Sequence, residues 1–253
     1  MKWHNNTHKR REDIMKKESD ISLVVRIISS AVGDPSNAVI TARHDYGNVD
    51  KWIISQSGQS AAIGGAAVLI PFASIPLALF DFGVLMHKVA YVTQGVAGLR
   101  NCPIDKESSE VDLAVILALW SGAVTEDELD SIFQTEMETG KIDVPDRRKV
   151  NPKNEFFECP LQTTPEIMVV DKAGTKLLAT VGGQLLNRLS KALFIRLAAR
   201  QGTKLLVGII PFLGAVICSS INYRIIEAVA RHADTYYIKK RQFLDRNEKG
   251  EVV

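Results

Sequence analysis

The sequence predicts an all-α protein: a helical bundle with two central apolar, proline-broken helical hairpins wrapped by amphipathic helices. Three observations predict it. Apolar residues recur at helical spacings through most of the chain. Two long runs carry no charge: Trp52 to Phe80, 29 residues, and Leu205 to Tyr223, 19 residues. No segment alternates apolar and polar residues for long enough to make a half-buried strand.

Composition sets the bounds. With 253 residues, 46% apolar and 24% charged, the chain is neither disordered nor collagen-like, and it has room for one or two domains. Lys plus Arg is 31 and Asp plus Glu is 29, so no global charge points to nucleic acid. A mean hydropathy of +0.02 is high for a soluble protein and low for a multi-span membrane protein. Cys102, Cys159 and Cys218 are too widely spaced for a disulfide framework or a zinc site, so a reducing cytosolic home is expected. The polar first twenty residues show no secretory signal.

The elements follow in chain order. A helix is predicted from about Arg11 to Val32, with Ile14, Ile21, Val24, Val25 and Ile28 on one face, and Gly33, Asp34 and Pro35 end it. Ser36 to Ser57 is expected to be irregular. Within the first uncharged run, Ala61 to Phe80 is apolar except for Ser74, and a helix of that length crosses about 30 Å of hydrocarbon. Gly64, Gly65, Pro71 and Pro76 interrupt it, so two half-helices meeting at Pro71 are at least as good a reading as one straight span. Asp81 is expected to open an amphipathic helix, Phe82 to Ala97.

Glu107 to Trp120 reads as the next helix, with Val111, Ala114, Val115, Ala118 and Leu119 on one face and Gly122 as its stop. Thr125 and Glu128 fit a capping box, starting a helix that runs to about Glu138 and closes at Gly140. Residues 141–163 form a linker. Thr164, Pro165 and Glu166 start a helix, broken near Gly182, that reaches about Arg200. The second uncharged run contains Pro211, and a basic helix from Arg224 to about Phe243 follows it. The expected organisation is therefore an N-terminal helix and connector (1–56), a helical domain (57–243) and a polar tail (244–253).

The two units echo each other. Ile70-Pro71-Phe72 and Ile210-Pro211-Phe212 stand 140 residues apart, as do Val89-Ala90 and Val229-Ala230. Each unit reads as apolar run, proline break, apolar run, polar residue and helix, the polar residue being Asp81 in one and Asn222 in the other.

At this point the sequence resembles the EcsC protein family of bacteria. The likeness rests on Ala61 through Asp81 with the helix to Gly98, and on Ile210 through Val216 followed by Asn222 and a helix ending at Ala233 to Tyr237. It covers roughly residues 55 to 240. The turn Asn101-Cys102-Pro103-Ile104-Asp105 departs from the family's usual Tyr-Gly-Asp type. The resemblance implies a helical fold and membrane association rather than a reaction.

Chemistry is sparse. There is no phosphate-binding glycine loop, no HExxH and no nucleophile elbow, and no cofactor or metal is expected. The weak catalytic candidates are Asp81, His87 and Glu110, which would serve a hydrolase or metal-dependent enzyme. A polar group at the end of a buried run needs a partner. Asp81, Asn222 and His232 are thus also candidates for hydrogen bonds between the hairpins. Candidate membrane contacts are Pro71, Phe72, Pro211 and Phe212 at the hairpin tips, with Arg188, Arg196, Arg200 and Lys204 along one helix side.

Charge is segregated: residues 1–100 sum to +3, residues 101–172 to −9 and residues 173–253 to +8. That pattern means either internal pairing or outside partners, an anionic lipid or membrane protein for the basic part and a basic protein for 101–172. The expected function is a membrane-associated protein without enzymatic chemistry. It would bind or insert at the cytoplasmic face of the inner membrane as an interaction or effector module.

Overall fold

A computed structural model describes residues 21–68, 75–142, 144, 177, 179–193 and 211–249. Every regular element among them is helical, and the one β-type contact is an isolated bridge between Ile142 and Val181. The protein is an all-α helical bundle.

Helix α1 (Ile21–Ala31) buries Val24, Val25, Ile28 and Ala31, the face expected from its spacing. The chain then bends by 57° into the next helical stretch, Ser36–Tyr46. Asp34 closes the corner locally, accepting the Ser36 backbone N–H at 2.9 Å and its hydroxyl at 2.7 Å. Helix α2 (Ser36–Thr41) continues as one π-helical turn, Ala42–Tyr46, and stops at Gly47 with φ at +61°. Helix α3 (Val49–Val68) follows. Residues 36–57 are therefore helical and not irregular. Their buried positions are filled by Ala38, Ala42, Gln56 and Ser57 as well as by Trp52 and Ile53, so small and polar residues mask a helical period.

Helix α4 (Ile75–Leu99) runs straight through Asp81, which is not a helix start. Pro76 fits in its first turn, where no internal N–H is required. Helix α5 (Lys106–Ser121) begins at an Asp105–Ser108 capping box and ends on Gly122, φ +78°. A 3₁₀ turn (Glu126–Glu128) leads into α6 (Leu129–Thr139), which closes at Gly140, φ +66°. Residues 183–193 form α7. Helix α8 (Pro211–Glu248) starts at Pro211 and passes Asn222 without a break, so Asn222 does not end a segment either. Pro71 and residues 194–210 lie outside the described residues.

Helices α3 and α4 are antiparallel neighbours. The Trp52 indole N–H donates to Val92 O at 3.0 Å, and Lys88 reaches Gln56 and Gln59. The helices touch at Gly95, where any Cβ would overlap the Trp52 ring. Helix α8 packs along α3 and against α4. Asp50, in the first turn of α3, pairs with Arg231, while Arg100, just past α4, pairs with Asp234. The part of α8 beyond Asp234 is taken up by α5 and α6. The stretch before Arg231 therefore runs back along α3 and alongside α4.

Helix α5 is buried on all sides from Ser109 to Leu119, where the spacing of its apolar residues indicated one face. A helix enclosed all round is central to its fold. One hydrophobic core joins Val24 on α1, Trp52 on α3, Leu113 on α5 and Phe243 on α8. It takes in Val24, Val25, Ile28, Trp52 and Ile53 from the N-terminal stretch, and α8 runs on to Glu248. Val89, Ala90, Val229 and Ala230, the positions of the internal echo, are all buried in it.

Candidate functional site: an uncharged bundle end opposite an ion-paired end

The helix directions lead the described parts of the two uncharged runs to one end of the bundle. Towards that end α3 runs from Trp52 to Val68, α4 leads away from it from Ile75 to Phe80 and α8 from Pro211 to Tyr223, all without a charged residue. Asp81 is the first charge met along α4. Gln56 to Val68 on α3 and Ile75 to Lys88 on α4 each measure about 18–20 Å at 1.5 Å per residue.

The other end is laced with ion pairs. Arg100 grips Asp234 in bidentate fashion, at 2.6 and 2.9 Å. Arg246 reaches Asp130 at 3.2 Å, and Lys239 donates to the Glu126 carbonyl at 2.8 Å. Asp50 and Arg231 complete the set on α3 and α8. The acidic middle and the basic C-terminal third thus pair with each other through α5, α6 and α8, an internal use of the segregated charge.

At the centre of this end lies Asp112, fully buried on α5. Its Oδ1 accepts from the Tyr236 hydroxyl at 2.6 Å and from the Lys240 ammonium at 2.6 Å. Its Oδ2 has no hydrogen-bond partner among the described residues. Burial, followed by the Asp112 charge, pushes the Tyr236 and Tyr237 phenols well above their ordinary value. Burial opposes the charge of Lys240, but Asp112 and then Glu136 outweigh it and its pKa rises. Glu136 is itself pushed up, chiefly by burial. Burial also pushes the Cys102 thiol up to about 11, so it acts as a buried hydrophobe and not as a nucleophile. Phe133 completes the packing against Tyr236 and Phe243, with ring centroids 5.4 and 5.6 Å apart.

Of the candidates from sequence, His87 and Glu110 both attach to α1, by separate contacts. The His87 Nδ1–H donates to Ala31 O at 2.9 Å, and Glu110 accepts from Ser29 Oγ at 3.3 Å. Asp81 lies within α4, but its side chain is outside the described set. Asn222 is buried on α8, and His232 donates from Nδ1 to Ala228 O of its own helix at 2.7 Å. Arg188 is half-buried on α7, 3.5 Å from Glu128. Pro211 and Phe212 start α8 at the uncharged end, the Phe212 side chain lying outside the described set. Pro71, Phe72, Arg196, Arg200 and Lys204 lie outside the described residues.

Two groups went unnoticed in the sequence. One is Asp112 with Lys240. The other is Lys88, which is half-buried and set over the Tyr91 ring at 5.2 Å, with Gln56 and Gln59 accepting from it. The matched three-residue spacings, Gln56/Gln59 and Lys88/Tyr91, are the one signal that could have drawn attention to the second.

Among the described residues no three His, Cys, Asp or Glu side chains gather as metal ligands. No single described helix is long and apolar enough to cross a membrane, although the bent pair Ile21–Ala31 and Ser36–Tyr46 meets that test together. Comparison of the chain with family models, curated proteins and solved structures finds no match.

Proposed function

We propose that this protein is a membrane-associated helical module that works without bond-making chemistry. It docks its uncharged end on the cytoplasmic face of a membrane and keeps its ion-paired end in water as an interaction surface. The observation that carries this reading is the polarity of the bundle. Two uncharged runs share one end, and the ion pairs of α3, α5, α6 and α8 occupy the other. Helix is the form in which apolar backbone can enter hydrocarbon with its hydrogen bonds satisfied. The resemblance to the EcsC family points the same way. His87 and Glu110 are engaged in fastening α1, so the geometry gives the hydrolase alternative no added support.

Flotation of the full chain with vesicles tests the reading. The protein is expected to float with vesicles containing phosphatidylglycerol at pH 7 and at pH 5. Protein that stays at the bottom of the gradient at both pH values would refute it.

A further inference from the structure

The outer ion pairs of the charged end match one acid with one base: Asp234 with Arg100, Asp130 with Arg246 and Asp50 with Arg231. The centre of that end departs from the pattern. There Asp112 on α5 and Glu136 on α6 share a single ammonium, that of Lys240 on α8. Position explains the grouping. Phe133 packs on Tyr236 with ring centroids 5.4 Å apart, and Glu136 follows Phe133 by three residues, on the same side of α6. Tyr236 and Lys240 stand one turn apart on α8, and both donate to Asp112 Oδ1 at 2.6 Å. The Lys240 ammonium also lies 5.6 Å from the centre of the Tyr236 ring.

The side chains of Asp112 and Lys240 are 1% and 14% exposed, and Glu136 is half-buried. With both acids ionised, this nearly dry cluster carries one negative charge more than its base offsets. Asp112 Oδ2 marks the excess: it is buried and has no hydrogen-bond donor among the described residues. Neighbouring carboxylates in poor contact with water resist double ionisation, and one of them takes a proton more readily. Hydrogen bonds from Lys240 and Tyr236 hold Asp112 in its charged form. Glu136 is the acid left to yield. Burial raises its pKa, the Lys240 charge opposes that rise and the Asp112 charge adds to it. The other charged groups near α6 are engaged elsewhere. Lys239 donates to the Glu126 carbonyl, Arg246 pairs with Asp130, and Glu128 accepts from Thr125 and meets Arg188.

We propose that Asp112, Glu136 and Lys240 form a proton-binding site, in which Glu136 takes up one proton in mild acid and the uptake tightens α6 on α8. An acid whose pKa is raised on folding adds stability that is complete below its unfolded value. That stability disappears as pH rises through the folded value. For Glu136 the ordinary value is 4.5, so the gain belongs to the acid side of neutrality. The site is independent of the membrane reading, and neither falls with the other.

The test uses the full chain. Glu136→Gln holds the neutral form at every pH. It is expected to melt about 2–4 °C above the parent at pH 7.5, with most of that gain gone at pH 4.5. The carbon-13 shift of the Glu136 carboxyl in the parent reads the proton directly, and its midpoint is expected above 4.5. Asp112→Asn removes the like charge and should lower that midpoint, which a merely structural role for Asp112 would not do. If Glu136→Gln does not fold, the titration of the parent decides. A midpoint at or below 4.5 overturns the proposal. So does a Glu136→Gln variant that melts with or below the parent at pH 7.5. A gain of equal size at both pH values also overturns it, because that gain comes from packing and not from charge.

Discussion

The two ends of this bundle are built from the same helices and held by different physics. At one end α3, α4 and α8 carry no charged residue, from Trp52 to Val68, from Ile75 to Phe80 and from Pro211 to Tyr223. At the other, α5, α6 and the second half of α8 add Asp112–Lys240, Asp130–Arg246 and Arg100–Asp234 to a packed aromatic cluster. Apolar contact is non-directional and remains favourable when lipid replaces a protein neighbour. A buried ion pair is directional, and separating it is costly. Under the membrane reading proposed above, the charged end keeps its packing and the uncharged end exchanges protein neighbours for lipid.

The largest expected effect is at Asp112. Asp112→Ala leaves Lys240 and the Tyr236 hydroxyl buried without their acceptor, and should lower unfolding stability in urea by about 3–5 kcal/mol. Replacing both partners, Asp112→Leu with Lys240→Met, should recover most of that loss. A double variant no better than the single one would mean that the pair does not set the stability of this end.

Next comes the α3–α4 contact. Gly95→Ala pushes a methyl group into the Trp52 indole, and about 1–3 kcal/mol of destabilisation is expected, with a change in Trp fluorescence. A wild-type melting curve would contradict the close approach at that point.

Alkali should attack the charged end. The Cys102 thiol rises from 9.0 to about 11 on folding, and the phenols of Tyr236 and Tyr237 are also raised. A raised pKa contributes stability that is complete below the unfolded value and disappears as pH climbs through the folded one. Stability should therefore be flat on the neutral side of pH 9 and fall between 9 and about 11. Cys102→Ala should shift the onset of that fall upward, as followed by circular dichroism.

The smallest effect belongs to Asp50–Arg231, whose side chains are 64% and 46% exposed. Asp50→Ala should cost less than about 1 kcal/mol, and less still in high salt. A loss as large as that of Asp112→Ala would erase the distinction between exposed and buried pairs at this end.

What could be read from sequence, and what could not, divides along the same physical line. Capping is local chemistry, so Thr125 with Glu128, Gly122 and Gly140 marked their helix ends correctly. Asp81 and Asn222 misled because a polar residue after an apolar run looks like a boundary, while a helix continues through it if its backbone bonds are made. The region from Ser36 to Ser57 was missed because Ala, Gln and Ser fill buried positions there. The buried stretch of helix α5 includes two acids, Glu110 and Asp112, which hid its all-round burial. The acceptor of Lys240 lies 128 residues away, and no local pattern names it. The segregated charge was the legible trace of that pairing.

Vesicle binding by two matched lysine insertions tests the central claim most directly. Leu213→Lys places a charge at the uncharged end, and Gln242→Lys places one on the exposed surface of the charged end. With both variants folded by circular dichroism, Leu213→Lys should lose flotation with phosphatidylglycerol vesicles and Gln242→Lys should retain it. Equal flotation of the two, or loss in Gln242→Lys alone, would contradict the account.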